Sequence, residues 1–227
     1  MTDVATPIDY GDAAPYPVVI QVDPERGERN RKTVAFRLIL AIPHLLLVGG
    51  AGYMLSFGGW DQDFSSFSWI GSTGVLGAVA SVVAFISWFA IVFTGKHPRG
   101  LWDLAHFYLR WKVRAVAYVA LLRDEYPPFG DGDGAYPAGI TLEYPTEPRD
   151  RLSVGLRIIY AIPHIIIVAL LSVAWFVTLV IAWFAILFTG KYPEGLYNFG
   201  AGVMRWSIRT EAYMLLMRDE YPPFSLE

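Results

Sequence analysis

Two identical tetrapeptides, Ala41-Ile42-Pro43-His44 and Ala161-Ile162-Pro163-His164, each place a proline and an ionisable histidine inside a long uncharged run. Arg37 and Arg157 lie seven residues earlier, two helical turns away on nearly the same face. Each proline removes a helical hydrogen bond to the carbonyl four residues back, at Ile39 and Ile159, and the freed carbonyl calls for another donor. Three chemistries fit such a set. Neutral imidazoles can hydrogen-bond carbonyls or each other and so hold helices together. The four residues can form an intramembrane polar site or path for a proton, an anion or a lipid headgroup. A facing histidine pair can also supply the axial ligands of a b-type haem.

A second set lies in the charged segments. Arg110, Arg114 and Tyr118 are spaced i, i+4, i+8 and share a helix face, as do Arg205, Arg209 and Tyr213. These arginines suit anionic lipid phosphates at headgroup depth. They equally suit salt bridges to Asp124-Glu125 and Asp219-Glu220, carboxylates that stand near helix C-termini and want a cation. Lys96 and Lys191 follow glycines that end the preceding helices, where a cation complements the dipole. With no cysteine in the chain, disulfides, thiolate chemistry and cysteine-bound metals are excluded. Gly130–Gly134 (GDGDG) lacks the ligand spacing of a calcium loop and reads as a linker. No nucleophile–base pattern, phosphate loop or dinucleotide fingerprint appears, so a non-enzymatic role without cofactor or metal is expected, and no nucleic-acid partner.

The elements that position these residues are written twice. Tyr16-Pro17, Arg37 and AIPH recur 120 residues later; WFAIVFTGKHPRGL (88–101), Arg110-Trp111 and RDEYPPF (123–129) recur 95 residues later. The change of offset leaves about 25 extra residues in the first copy, around Gly49–Gly74. Repeat 1 is read as 16–129, a linker as 130–135, repeat 2 as 136–224, and residues 1–15 as a disordered tail.

Of 227 residues, 54% are hydrophobic and 17% charged, which points to a membrane protein. Residues 1–32 have no apolar core, so they read as a cytoplasmic tail, not a secretory signal. The expected fold is an all-α integral membrane protein with four transmembrane helices in two parallel pseudo-twofold repeats. The spans are placed at 33–55, 74–95, 152–171 and 174–190, the last two as a tight hairpin turning near Leu171–Ala174, because a ~30 Å hydrocarbon core takes about 20 residues. All Lys and Arg fall outside 45–95 and 160–190, which puts both termini and the linker in the cytoplasm and the insert outside. Helices 100–123 and 195–218 carry charges in mid-helix and read as amphipathic interfacial helices, with Trp102, Trp111, Tyr118, Trp206 and Tyr213 at headgroup depth. Alternating segments at Val18–Val22 and Ile140–Tyr144 predict two strands that a twofold axis would pair antiparallel.

The IPH, FTGK-x-P, RW-x-x-R and DEYPPF motifs, present in both halves, resemble the bacterial membrane family known as domain of unknown function 4389, in two tandem copies. The resemblance implies the fold and a location in a bacterial inner membrane, with several passes, and no mechanism. The expected function is that of a membrane accessory or scaffold subunit. Its partners would be membrane lipids, especially anionic ones at the inner leaflet, and other membrane subunits or itself, with the aromatic insert as a docking point. A haem- or proton-handling redox accessory protein and a small transporter are the alternatives.

Overall fold

A computed structural model describes residues 16–25, 27–49, 66–130 and 136–227, with side chains from residue 74 onward in the third of these segments. The expected tail 1–15, linker residues 131–135 and the aromatic docking loop therefore lie outside the described residues. The described chain is helical with one small sheet: β1 (Val19–Val22), α1 (Arg31–Ala35), α2 (Arg37–Val48), α3 (Ser66–Thr94, broken at Gly74), α4 (Arg99–Val119), β2 (Ala138–Thr141), α5 (Arg151–Gly155), α6 (Arg157–Thr189) and α7 (Glu194–Met214).

The strands pair antiparallel as expected, with Ile20 opposite Ile140. Those two residues are repeat equivalents, so the pseudo-twofold axis passes through the centre of the ribbon. Val18, Ile20 and Val22 join Ala138, Ile140 and Leu142 in the core, while Gln21, Thr141 and Glu143 face out. Beneath the ribbon, α4 and α7 run antiparallel and are buried on nearly every side. Trp102, Trp111, Tyr118, Trp206 and Tyr213, expected at headgroup depth, are all buried within the protein. The mid-helix charges of α4 and α7 are neutralised internally instead of by water or headgroups, which is why charge was a poor sign of exposure. A third layer, formed by α2, α3 and α6, packs against α4 and α7.

Among the described residues, the four expected spans reduce to two helices long and apolar enough to cross a membrane, Gly74–Thr94 and Arg157–Thr189. No turn interrupts α6 at Leu171–Ala174; its 33 residues are continuous. The stretch LLSVA holds no glycine, proline or charge to end a helix, and only the assumed bilayer thickness had required a break there. Repeat 1 contains the same long helix cut in two. The 12 residues of α2 and the 21 of Gly74–Thr94 together equal the length of α6, and their exposed and buried positions follow those of α6 across the cut. Gly49 and Gly74, both at positive φ, bring the cut ends together: a Cβ on Gly74 would lie 2.4 Å from the Gly49 nitrogen.

Candidate functional site

Each repeat builds the same charged clasp where a long helix meets the end of its core helix. In repeat 2, Arg157 donates from one guanidinium nitrogen to the carbonyls of Tyr213 (3.2 Å) and Arg218 (2.5 Å) and from the other to Asp219 Oδ1 (2.7 Å), with its guanidinium 4.0 Å above the Tyr213 ring. Arg149 grips both Asp219 oxygens (2.7 and 2.8 Å) and donates to the Leu216 carbonyl (2.8 Å). Repeat 1 copies this: Arg37 bonds the carbonyls of Tyr118 and Arg123 and Asp124 Oδ1 (2.6 Å), over the Tyr118 ring, and Arg29 holds the Leu121 and Leu122 carbonyls. The arginines thus bond carbonyls of the last helical turn and of the turn that follows it. Leu121 and Leu216 close these ends at φ 61°, a conformation leucine rarely adopts. Their side chains compensate by burial, Leu121 against Val34 and Ile186, Leu216 against Ile91 and Val154.

The carboxylates also cap the next helix. Asp124 and Asp219 accept from the backbone N–H of Asn30 and Asp150, the N-caps of α1 and α5. Burial alone would raise the pKa of Asp219, but Arg149, the Asp150 amide and Arg157 outweigh it and hold it below the ordinary value. The two repeats exchange these short helices. The Arg29 amide donates to Gly190 O (2.8 Å) and Trp183 to Val34 O (3.0 Å), while the Arg149 amide donates to Gly95 O (3.0 Å) and Trp88 to Val154 O (3.0 Å).

Beside the repeat 2 clasp, the buried His97 bonds Ser87 through Nε2 (3.0 Å). Burial first, and Arg149 second, push its pKa down to about 4 against the opposing pull of Asp219. The folded protein therefore keeps this ring neutral where the unfolded chain, titrating near 6.5, takes up a proton. Stability should fall by up to about 3 kcal/mol as pH drops from 6.5 to 4, and His97→Gln should flatten that slope in urea titrations across the range.

His44 and His164 do not meet on the twofold axis; each is enclosed by its own repeat. Trp111 Nε1 donates to His44 Nδ1 (3.0 Å) and Trp206 Nε1 to His164 Nδ1 (2.9 Å). Phe129 stacks on His44 at 4.5 Å and Phe224 on His164 at 4.2 Å, with Tyr126 and Tyr221 closing the cages. An Nδ1 that accepts carries no proton, so the neutral ring bears its hydrogen on Nε2. Trp206→Phe, which strands that acceptor, should cost about 1–3 kcal/mol in denaturant unfolding.

On the axis, Lys112 of α4 bonds Glu211 of α7 (2.7 Å), and Tyr108 donates to the same carboxylate oxygen (2.6 Å). The pair borders a cavity of about 600 Å³ between α3 and α6, lined also by Trp88, Val116, Ile165 and Trp175. Removing Lys112 alone leaves the half-buried Glu211 carboxylate with Tyr108 as its donor; Lys112→Met should therefore destabilise by about 1–3 kcal/mol, and Lys112→Met with Glu211→Leu should recover most of it.

The expected arginine–carboxylate pairing is redistributed. Asp124 and Asp219 bind Arg29, Arg37, Arg149 and Arg157, whereas Glu125 and Glu220 are clasped by their neighbours Arg123 and Arg218. Arg114 reaches the Gly130 carbonyl, Arg209 the terminal Glu227 carbonyl, Arg110 and Arg205 are half-buried, and Lys96 and Lys191 are exposed. Sequence reasoning passed over Arg29 and Arg149 and gave Trp111 and Trp206 a headgroup role instead of a histidine partner. The first two recur at the same offset of 120 as AIPH, and the tryptophans belong to the repeated RW motif, so the repeat itself marked all four.

No curated protein and no solved structure matches the chain. A family model described as Domain of unknown function (DUF4389) matches residues 68–130 and 151–225. The second match takes in α5, α6 and α7 as one unit, and the first begins inside the insert because the insert parts α2 from α3. Covering more than half of the residues, these matches make the chain a member of the DUF4389 family carrying two tandem copies of its unit.

Proposed function

We propose that this protein is a non-enzymatic, membrane-embedded accessory or scaffold protein of the bacterial inner membrane, in contact with lipids and with other membrane subunits or further copies of itself. The observation that carries this reading is the outer face of the long helices. Ile158, Ile159, Ile162, Ile166, Leu170, Val173, Val177, Ile181, Phe184 and Phe188 run unbroken along α6, and Leu38, Ile39, Ile42, Leu46, Val75, Val79, Val82, Ile86, Phe89 and Phe93 repeat the stripe on α2 and α3, all of them exposed. An apolar surface of that extent needs a nonaqueous partner. The ionisable groups support an architectural role, since Arg37 and Arg157 bond carbonyls and a carboxylate of the chain and His44 and His164 accept from its tryptophans. A haem reading is disfavoured because the histidines sit in separate cages with the proton on the nitrogen that would bind iron.

The test is fractionation with alkaline washing of membranes, followed by a visible spectrum of the detergent-purified protein. Retention in the membrane and a colourless preparation are expected. A Soret band lost in His164→Ala would overturn the reading in favour of the redox alternative. The transporter alternative predicts that Arg37→Ala and Arg157→Ala abolish flux in a folded protein, whereas the clasp predicts that they abolish folding.

A further inference from the structure

We infer that the apolar layer lies along one leaflet of the bilayer instead of crossing it, so that the protein is monotopic and its lipid partner is a single membrane face. This rests on the membrane reading above and specifies its geometry.

Length is the first argument. At ~1.5 Å per residue, α6 extends about 50 Å, well beyond a ~30 Å hydrocarbon core, and its exposed apolar stripe continues from Ile158 to Phe188 without a polar interruption.

The position of the ribbon is the second argument, and it decides the matter. The twofold axis runs through Ile20 and Ile140 and past the Lys112–Glu211 pair, in the C-terminal halves of α4 and α7; Val154, just before α6, meets Trp88 of α3, and Val34, just before α2, meets Trp183 of α6, so the axis crosses the long helices near their middle. The long helices run antiparallel alongside those core helices: Arg157 meets Tyr213 near one end of α7, and Trp175 packs on Gly200 near the other. If α6 stood across the bilayer, the axis would lie in the membrane plane at mid-depth. The exposed Gln21, Thr141 and Glu143 of the ribbon would then face hydrocarbon at its centre, where one charge alone costs at least ~2.5 kcal/mol. Laid flat, the same molecule puts its axis along the membrane normal, the apolar layer in the lipid and the ribbon in water.

Charge placement is the third argument. Exposed basic residues flank both ends of the apolar layer: Arg31, Lys32 and Lys191 at one, Lys96 and Arg151 at the other. In the flat pose both groups reach the headgroups of the same leaflet, where anionic lipids attract them. The cavity between α3 and α6, with the exposed Phe85 and Ile158 in its lining, then borders the acyl chains.

The cysteine-free chain makes the test direct. Lys96→Cys and Lys191→Cys, in sealed inner-membrane vesicles of known orientation, are treated with a membrane-impermeant maleimide. Ile159→Cys, Ile166→Cys, Val173→Cys, Val180→Cys and Phe188→Cys carry nitroxides for depth measurement against lipid-soluble oxygen and a water-soluble nickel chelate. Lys96→Cys and Lys191→Cys should label from the same side, and the nitroxides should report one shallow depth along the whole helix. Labelling from opposite sides, or a profile that deepens towards Val173 and rises again, would overturn the flat pose while leaving the membrane reading intact. Nitroxides accessible to the nickel chelate at every position would defeat both.

Discussion

Asp219→Asn will lower the stability of the folded protein by about 3–5 kcal/mol, the cost of removing one partner from a buried ion pair and leaving the other charge unbalanced. The arginines show why the effect should be this large. Arg149 and Arg157 are both almost wholly buried, and both direct a guanidinium nitrogen to Asp219 Oδ1 at 2.7 Å. Repeat 1 has Glu25 beside Arg29 to share the load, but Pro145 occupies the corresponding place in repeat 2, so among the described residues Asp219 is the one carboxylate bonded to both arginines. The neutral amide can still accept the Asp150 N–H, which isolates the electrostatic part. Asp103→Asn is the control: its pair with Arg99 is exposed, and the expected change is at most about 1 kcal/mol. Tryptophan-monitored unfolding in detergent should separate the two. A change below 1 kcal/mol at Asp219 would mean that the clasp is ornamental. Because the Asp219 pKa is held below its ordinary value, its contribution is complete above about pH 4 and fades as the carboxylate takes up its proton below that.

A larger change in covalent structure should do far less harm. Excising Gly50–Gly74, with Gly49→Ala, joins Val48 through one alanine to Val75 and reproduces the Val168-Ala169-Leu170 junction of α6. We expect a folded protein within about 2 kcal/mol of the parent, since the cut ends already touch and the insert leaves and rejoins the helix at one point. Removing one residue more or fewer turns everything beyond the junction by about 100°. Ala80, Ser87 and Ile91 would then give up their core positions, to Val79, Ile86 and Ala90 when one residue fewer is removed and to Ser81, Trp88 and Val92 when one more is. Those two variants should lose cooperative unfolding in circular dichroism. Equal behaviour of all three deletions would refute the spliced-helix description.

Much of the architecture was legible because the repeat preserves polar and aromatic identities as well as hydrophobicity. Equivalence of Ile20 and Ile140 was enough to foresee an antiparallel ribbon, and the two glycine-bearing ends of the insert were visible as a shift of offset. The continuous α6 was not legible, because the length of a hydrophobic run says nothing about its direction relative to the membrane. Using bilayer thickness as a ruler forced a turn into residues with no turn chemistry. Nor could the partners of Arg37 and His44 be found locally: Asp124 and Trp111 lie 87 and 67 residues away, and only the packing of α2 on α4 joins them. Lys112 looked like a marker of exposure until Glu211, 99 residues on, was placed against it.

The exchanged short helices also constrain the order in which the chain can complete itself. As synthesis proceeds from the N-terminus, Arg29 and Val34 emerge early, yet their binding places at Gly190 and Trp183 are made about 150 residues later. β1 likewise waits for β2, and Tyr16 for the carbonyl of Glu220. Tyr16, β1 and α1 therefore complete their contacts only once repeat 2 has been made. Contacts so distant in sequence favour slow closure, and a nascent chain with an unfilled acceptor at Gly190 can accept the same segment from a neighbour.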